Sequence, residues 1–84
     1  MVYYLIMCRS LTYAQKILRT LERAGLSAFL IRSPAEISPS GCSHCVKISQ
    51  QNLERVLALL RQFQLPYIGI YVGSTESGYQ EVEL

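Results

Sequence analysis

Hydrophobic and polar positions change period at Ser10, Gly25, Ser49 and Pro66, and those breaks divide the chain into elements. Val2 to Cys8, VYYLIMC, carries no charged or amide side chain and is too short for a typical globular helix, which predicts a central strand buried on both faces. Ser10 can cap the helix after it. Leu11, Ala14, Leu18, Leu21 and Gly25 keep the helical period, Ile17 and Ala24 widen the stripe, and Gly25 can close the helix because it takes positive φ without a Cβ penalty. Leu26 to Ile31 predicts the second strand. Ser33-Pro34-Ala35-Glu36 has the form of a capping box with proline at the first helical position, so one helical turn should interrupt the next loop, which Pro39 and Gly41 keep irregular. Cys45 to Ile48 predicts a short third strand with Val46 and Ile48 on one face and Cys45 and Lys47 on the other. Ser49 is the expected cap of a second helix along Leu53, Val56, Leu57, Leu60 and Gln64, widened by Leu59 and Phe63 and ended by Pro66. Tyr67 to Val72 predicts the last strand, Ile68, Ile70 and Val72 alternating against Tyr67, Gly69 and Tyr71.

The order β-α-β-β-α-β predicts an α+β, ferredoxin-like domain: a four-stranded antiparallel sheet with both helices on one face, strands 1 and 3 central and strands 2 and 4 outside. Residues 1–84 form a single domain, in which 73–84 is a polar tail or an extra edge strand. The end of strand 1, the start of the first helix and both ends of the loop between strands 2 and 3 then share one rim. Cys8 is expected near Cys45, with Cys42, Arg9 and Ser10 beside them. On the sheet face away from the helices, Tyr3, Leu5 and Met7 with Tyr67, Gly69 and Tyr71 predict an apolar surface that could form a homodimer or pack on a partner.

Half of the 84 residues are hydrophobic and 17% are charged, which excludes a disordered chain. The net charge of +2 is spread over basic residues at 9, 16, 19, 23, 32, 47, 55 and 61, a thin footprint for nucleic acid or an anionic membrane. No apolar run approaches the roughly 20 residues of a span, and the apolar start lacks a basic leader. A cytoplasmic protein is expected, and in a reducing compartment its three cysteines are free thiols, ligands or transient redox groups.

The candidate chemistry lies between Ser33 and Ser49, which holds two of the three cysteines, the only histidine and two of the three prolines. The connection there spends roughly ten residues where a hairpin needs two to five, and such loops tend to carry function. Cys42 is expected to be the exposed, reactive thiol, its thiolate favoured by Arg9, by the N-terminus of the first helix and by backbone amides around Gly41. The plainer alternative is a loop cysteine that its place tolerates. Cys45 and Cys8 read as buried, inert thiols, with Cys45 also a candidate resolving thiol. His44 is a surface loop residue or a proton shuttle to a neighbouring thiol. Cys42-Ser-His-Cys45 has dithiol-redox spacing, yet such a centre wants a helix to begin at its first cysteine, and none is expected there. Cys8, Cys42, His44 and Cys45 supply the number and type of donors of a structural zinc site. A protease-type nucleophile lacks an orienting carboxylate beyond Glu36. No cofactor is implied.

At these residues the sequence resembles the small selenium/sulfur carrier protein-like family. The likeness covers about residues 2 to 72 and is carried by YYLIMCRSLTYAQKILRTLERAG, LIRSPAEISPSGCSHCVKI and IYV. Its most specific part is Pro34, Ile37 and Ser38 followed by Cys42 shortly before the third strand. The resemblance implies that Cys42 holds sulfur or selenium as a persulfide or selenopersulfide, received from a cysteine desulfurase-like donor and passed to a protein acceptor. That is the work of a carrier or accessory protein more than of a stand-alone enzyme. Ser43 stands where the family often has glycine, and Cys8 and Cys45 where it often has phenylalanine and alanine. The competing readings are a non-catalytic interaction module and a small dithiol redox protein using Cys42 and Cys45.

Overall fold

The computed structural model describes residues 2–38, 43–74 and 78–82. Its strands are β1 (Val2–Cys8), β2 (Ala28–Arg32), β3 (His44–Ser49), β4 (Gly69–Ser74) and β5 (Gly78–Glu81), and its helices α1 (Leu11–Arg23) and α2 (Leu53–Gln62). They form an antiparallel sheet in the order β2-β3-β1-β4-β5. β1 and β3 are neighbours at the centre and β2 is an edge, as the pattern predicts. The four-stranded expectation is corrected to five: β5 pairs along β4 from Tyr71 opposite Glu81 to Ser74 opposite Gly78, so β4 is no edge. β5 is the alternative that the polar composition of residues 73–84 left open.

β1 is buried on both faces from Leu5 to Cys8, which is why its sequence does not alternate. One face, through Ile6, Cys8, Val46, Ile48 and Ile70, packs against Ala14, Ile17 and Leu21 of α1 and Val56 and Leu60 of α2. Both helices therefore cover the same face. On the other face a smaller cluster forms around Leu5, Met7 and Cys45, closed by Tyr3, Ile31, Ile37, Tyr71 and Tyr79. The surface expected from Leu5 and Met7 is thus occupied within the chain, since Ile37, in the connection after β2, packs on the cluster. Tyr67, assigned to that face by the sequence pattern, precedes β4 instead.

The helix ends share one geometry. After α1, Leu26 N–H donates to the Leu21 carbonyl at 3.0 Å around Gly25 at φ 80°, and Leu21 and Leu26 join the same core, a complete Schellman ending. After α2, Leu65 N–H donates to the Leu60 carbonyl at 3.0 Å around Gln64 at φ 51°. The second helix is stopped there, before Pro66 is reached. Its start also differs from the reading of Ser49 as a side-chain cap: Ser49 precedes a 3-10 turn, Gln50–Asn52, and makes no side-chain cap bond. Ser10 does cap α1, its Oγ accepting from Tyr13 N–H at 3.5 Å.

Candidate functional site

Antiparallel pairing brings the C-terminal ends of β1 and β2 and the N-terminal ends of β3 and β4 to one rim. Register places Cys8 opposite His44, and His44 opposite Arg32, so these three cross the rim in one row. Met7 lies opposite Cys45. A shift of one residue along a strand reverses the face. Cys8 therefore belongs to the helix-covered core, and Cys45 to the cluster on the other side of the sheet. The two cysteines are on adjacent central strands, as expected, but the sheet lies between their thiols. That separation puts Cys8 and Cys45, two of the four donors considered for zinc, on opposite faces of the sheet. Among the described residues no group of three His, Cys, Asp or Glu side chains is placed to hold a metal ion.

The two described cysteines are free and wholly buried. Burial, with a smaller contribution from the charge of Cys45, pushes the Cys8 thiol up to about 12 from an ordinary 9.0. Cys8 Sγ donates to the Ile6 carbonyl at 3.6 Å. Cys45 is likewise pushed up by burial, partly offset by Ser33, whose Oγ lies 3.1 Å from its Sγ. Both thiols are held in the protonated, weakly nucleophilic form at neutral pH. This bears directly on a dithiol pair, whose second member must be able to attack.

The connection after β2 is secured at both of its described ends. Ser33 N–H donates to the Ser43 carbonyl at 3.1 Å, which extends the β2–β3 ladder by one step. Ser43 Oγ donates to Ser38 Oγ at 2.9 Å, and both serines are buried. Between them Ile37 and Ser38 N–H groups return to the Pro34 carbonyl at 3.1 and 2.9 Å, the single helical turn read from Ser33-Pro34-Ala35-Glu36. Ser33 Oγ, however, turns to Cys45, a partner the capping-box pattern did not suggest. Cys42, the first candidate for the carrier thiol, and Gly41 lie outside the described residues, immediately before Ser43.

His44 is half-buried on the helix face, and its Nδ1 is buried without a hydrogen-bond partner. Arg9 is exposed and lines a 370 Å³ cavity with Tyr13, Pro66, Tyr67 and Ile68. On the opposite face Tyr3 and Tyr79 hydroxyls meet at 2.9 Å and the Lys47 Nζ stands 4.4 Å from the Tyr3 ring centroid. The Tyr3 hydrogen bond, then burial, pushes the Tyr79 phenol up to about 12. Gly73 lies beneath these rings: a Cβ there would meet them at 2.7 and 2.8 Å. Sequence periodicity held no sign of the Ser33–Cys45 contact, the tyrosine pair or the cavity. Ser33 does follow Ile31 by two residues, so once the register of β2 is known its side chain falls on the face of Cys45.

A family model described as "Putative Se/S carrier protein-like" matches residues 3–72. No curated protein and no solved structure matches the chain.

Proposed function

The chain belongs to the Se/S carrier-like family, and from that premise we propose that it carries a sulfane sulfur or selenium atom on Cys42 between protein partners. The observation that carries the assignment to Cys42 is the state of the other two thiols. Cys8 and Cys45 are both fully buried and pushed toward the neutral form, which disfavours either as the carrier and supports the reading of Cys42, the remaining cysteine, as the reactive thiol. The bonds of Ser33 and Ser38 to Ser43 fix the point at which the chain re-enters the sheet, one residue after it.

In loading, the Cys42 thiolate attacks the outer sulfur of a donor persulfide, R–S–SH. A new S–S bond forms to give Cys42–S–SH, the donor S–S bond breaks, and R–S⁻ leaves with the electron pair. The sulfane sulfur keeps its oxidation level, so no oxidant is consumed. Delivery repeats the exchange on an acceptor thiolate, and R–S–SeH loads selenium by the same steps. Arg9, at the same rim, contributes positive potential that favours the thiolate. His44 exchanges the proton through Nε2, its Nδ1 being enclosed. Such exchange needs an accessible thiolate and docking surfaces, not a deep substrate pocket.

The test is mass spectrometry of the protein after incubation with a cysteine desulfurase and cysteine. The parent should gain one sulfur per chain, Cys45→Ser and Cys8→Ala should gain it as well, and Cys42→Ser should not. Uptake by Cys42→Ser at the parental rate would overturn the assignment.

A further inference from the structure

Apart from Arg9, the residues of this groove take no part in the sulfur chemistry, and they include three large apolar side chains that the fold leaves in solvent. Tyr13, Tyr67 and Ile68 are 38, 39 and 54% exposed; Val2, Leu11, Phe29 and Phe63 are comparably bare among the described residues but do not line it. The backbone brings the lining residues together. α1 starts three residues after Cys8, and Ile68 N–H donates to the Met7 carbonyl at 2.8 Å, which holds the segment before β4 against the end of β1. Arg9, Tyr13, Pro66, Tyr67 and Ile68 then enclose 370 Å³ of open groove.

Among the described residues, the charged side chains placed at the groove are basic. Arg9 lines it, and Lys16 Nζ stands 5.8 Å from the Tyr13 ring centroid. The described acidic residues lie elsewhere. Glu22 is near the far end of α1 and Glu54 is in the first turn of α2, again the far end. Glu81 sits over Gly69 on the other face of the sheet, and Glu36 lies within electrostatic reach of Tyr79 there. An apolar groove framed by cations complements an aliphatic or aromatic side chain flanked by Asp and Glu.

We propose that this groove docks an acidic, apolar-tipped segment of the protein that delivers sulfur to the chain, and so places the donor persulfide at the rim where β3 begins. The inference rests on the carrier reading above. Apolar contact in the groove supplies the holding energy, and the cationic frame speeds and orients encounter.

The experiment compares two sources of sulfur, a purified cysteine desulfurase charged with cysteine and glutathione persulfide, on the parent, Ile68→Asp and Tyr13→Ala. With the desulfurase, half-maximal loading should require about tenfold more donor for either variant, the size expected when an anchoring side chain is lost from an interface. Added salt should weaken loading of the parent by the same source as the Debye length falls from about 10 Å at 0.1 M. With glutathione persulfide, all three proteins should load at one rate, which also shows that the variants are folded. Unchanged loading of both variants by the desulfurase overturns the docking site and leaves the carrier reading standing. Failure of the parent to load from either source overturns both. If sedimentation shows the parent as a dimer that Ile68→Asp separates, the groove is a contact between copies and the proposal falls.

Discussion

Ser33 and Cys45, 12 residues apart in sequence, meet at 3.1 Å on the face of the sheet away from the helices. Cys45 is enclosed there and Cys8 in the helix-covered core. Iodoacetamide near neutral pH should therefore modify a single cysteine of the native chain, Cys42, and the other two only after denaturation. Rapid native labelling of Cys8 or Cys45, mapped by peptide mass, would contradict their enclosure. The same burial fixes the direction of a pH effect. The folded chain keeps the Cys8 proton up to about 12, whereas the unfolded chain releases it near 9.0. Between these values the unfolded state binds fewer protons, so this contribution is complete below pH 9 and is lost as pH rises toward 12, by at most about 1.4 kcal/mol per pH unit. Cys45 and Tyr79, both also raised, act in the same sense. Urea unfolding across this range should show the decline, and Cys8→Ala should flatten it.

At the level of elements, the two helices end in the same motif with different residues at its left-handed position, glycine at 25 and glutamine at 64. A side chain in that conformation costs about 1–2 kcal/mol, partly offset by the greater flexibility of glycine in the unfolded chain. Gly25→Ala should lower stability by about 1 kcal/mol, and Gln64→Gly should raise it by up to about 1 kcal/mol. Nothing lies within 4 Å of a Cβ at Gly25, so backbone conformation alone sets that loss. Thermal melts of the two variants should shift in opposite directions; a shared sign would show that neighbouring contacts govern these ends. Gly73 is constrained differently, by the Tyr3 and Tyr79 rings above it and not by its backbone.

For the molecule as a whole, β5 lies beyond the residues that match the family and completes the sheet of this chain. It covers the edge of β4, Val82 N–H donates to the Ile70 carbonyl at 2.8 Å, and Tyr79 closes over Tyr3. A chain ending at Ser74 loses that hydrogen bond and the edge-to-face ring pair, whose centroids are 6.3 Å apart, each worth about 1 kcal/mol. It should melt lower and, with β4 bare, associate in a concentration-dependent way, as sedimentation can measure. An equally stable monomer would mean that β5 contributes little. Among the described residues no helix is long and apolar enough to cross a membrane.

The element order, the central place of β1 and β3 and the common face of the helices were readable from the sequence, because burial writes a period into each segment: VYYLIMC is apolar throughout since both its faces are covered, and Ala14, Ile17 and Leu21 recur because one side of α1 is. The resemblance to the family was readable too, through Pro34, Ile37, Ser38 and Cys42. Which thiols are silenced was legible only as burial, not as placement. That Cys8 and Cys45 lie on opposite faces depends on a register in which Cys8 meets His44, and a shift of one residue would have reversed it. The covering of Leu5 and Met7, the Ser33–Cys45 contact and the groove at Tyr13 and Ile68 likewise join residues from separate elements. Periodicity reports which side of its own element a residue occupies; only the packed chain decides what stands opposite.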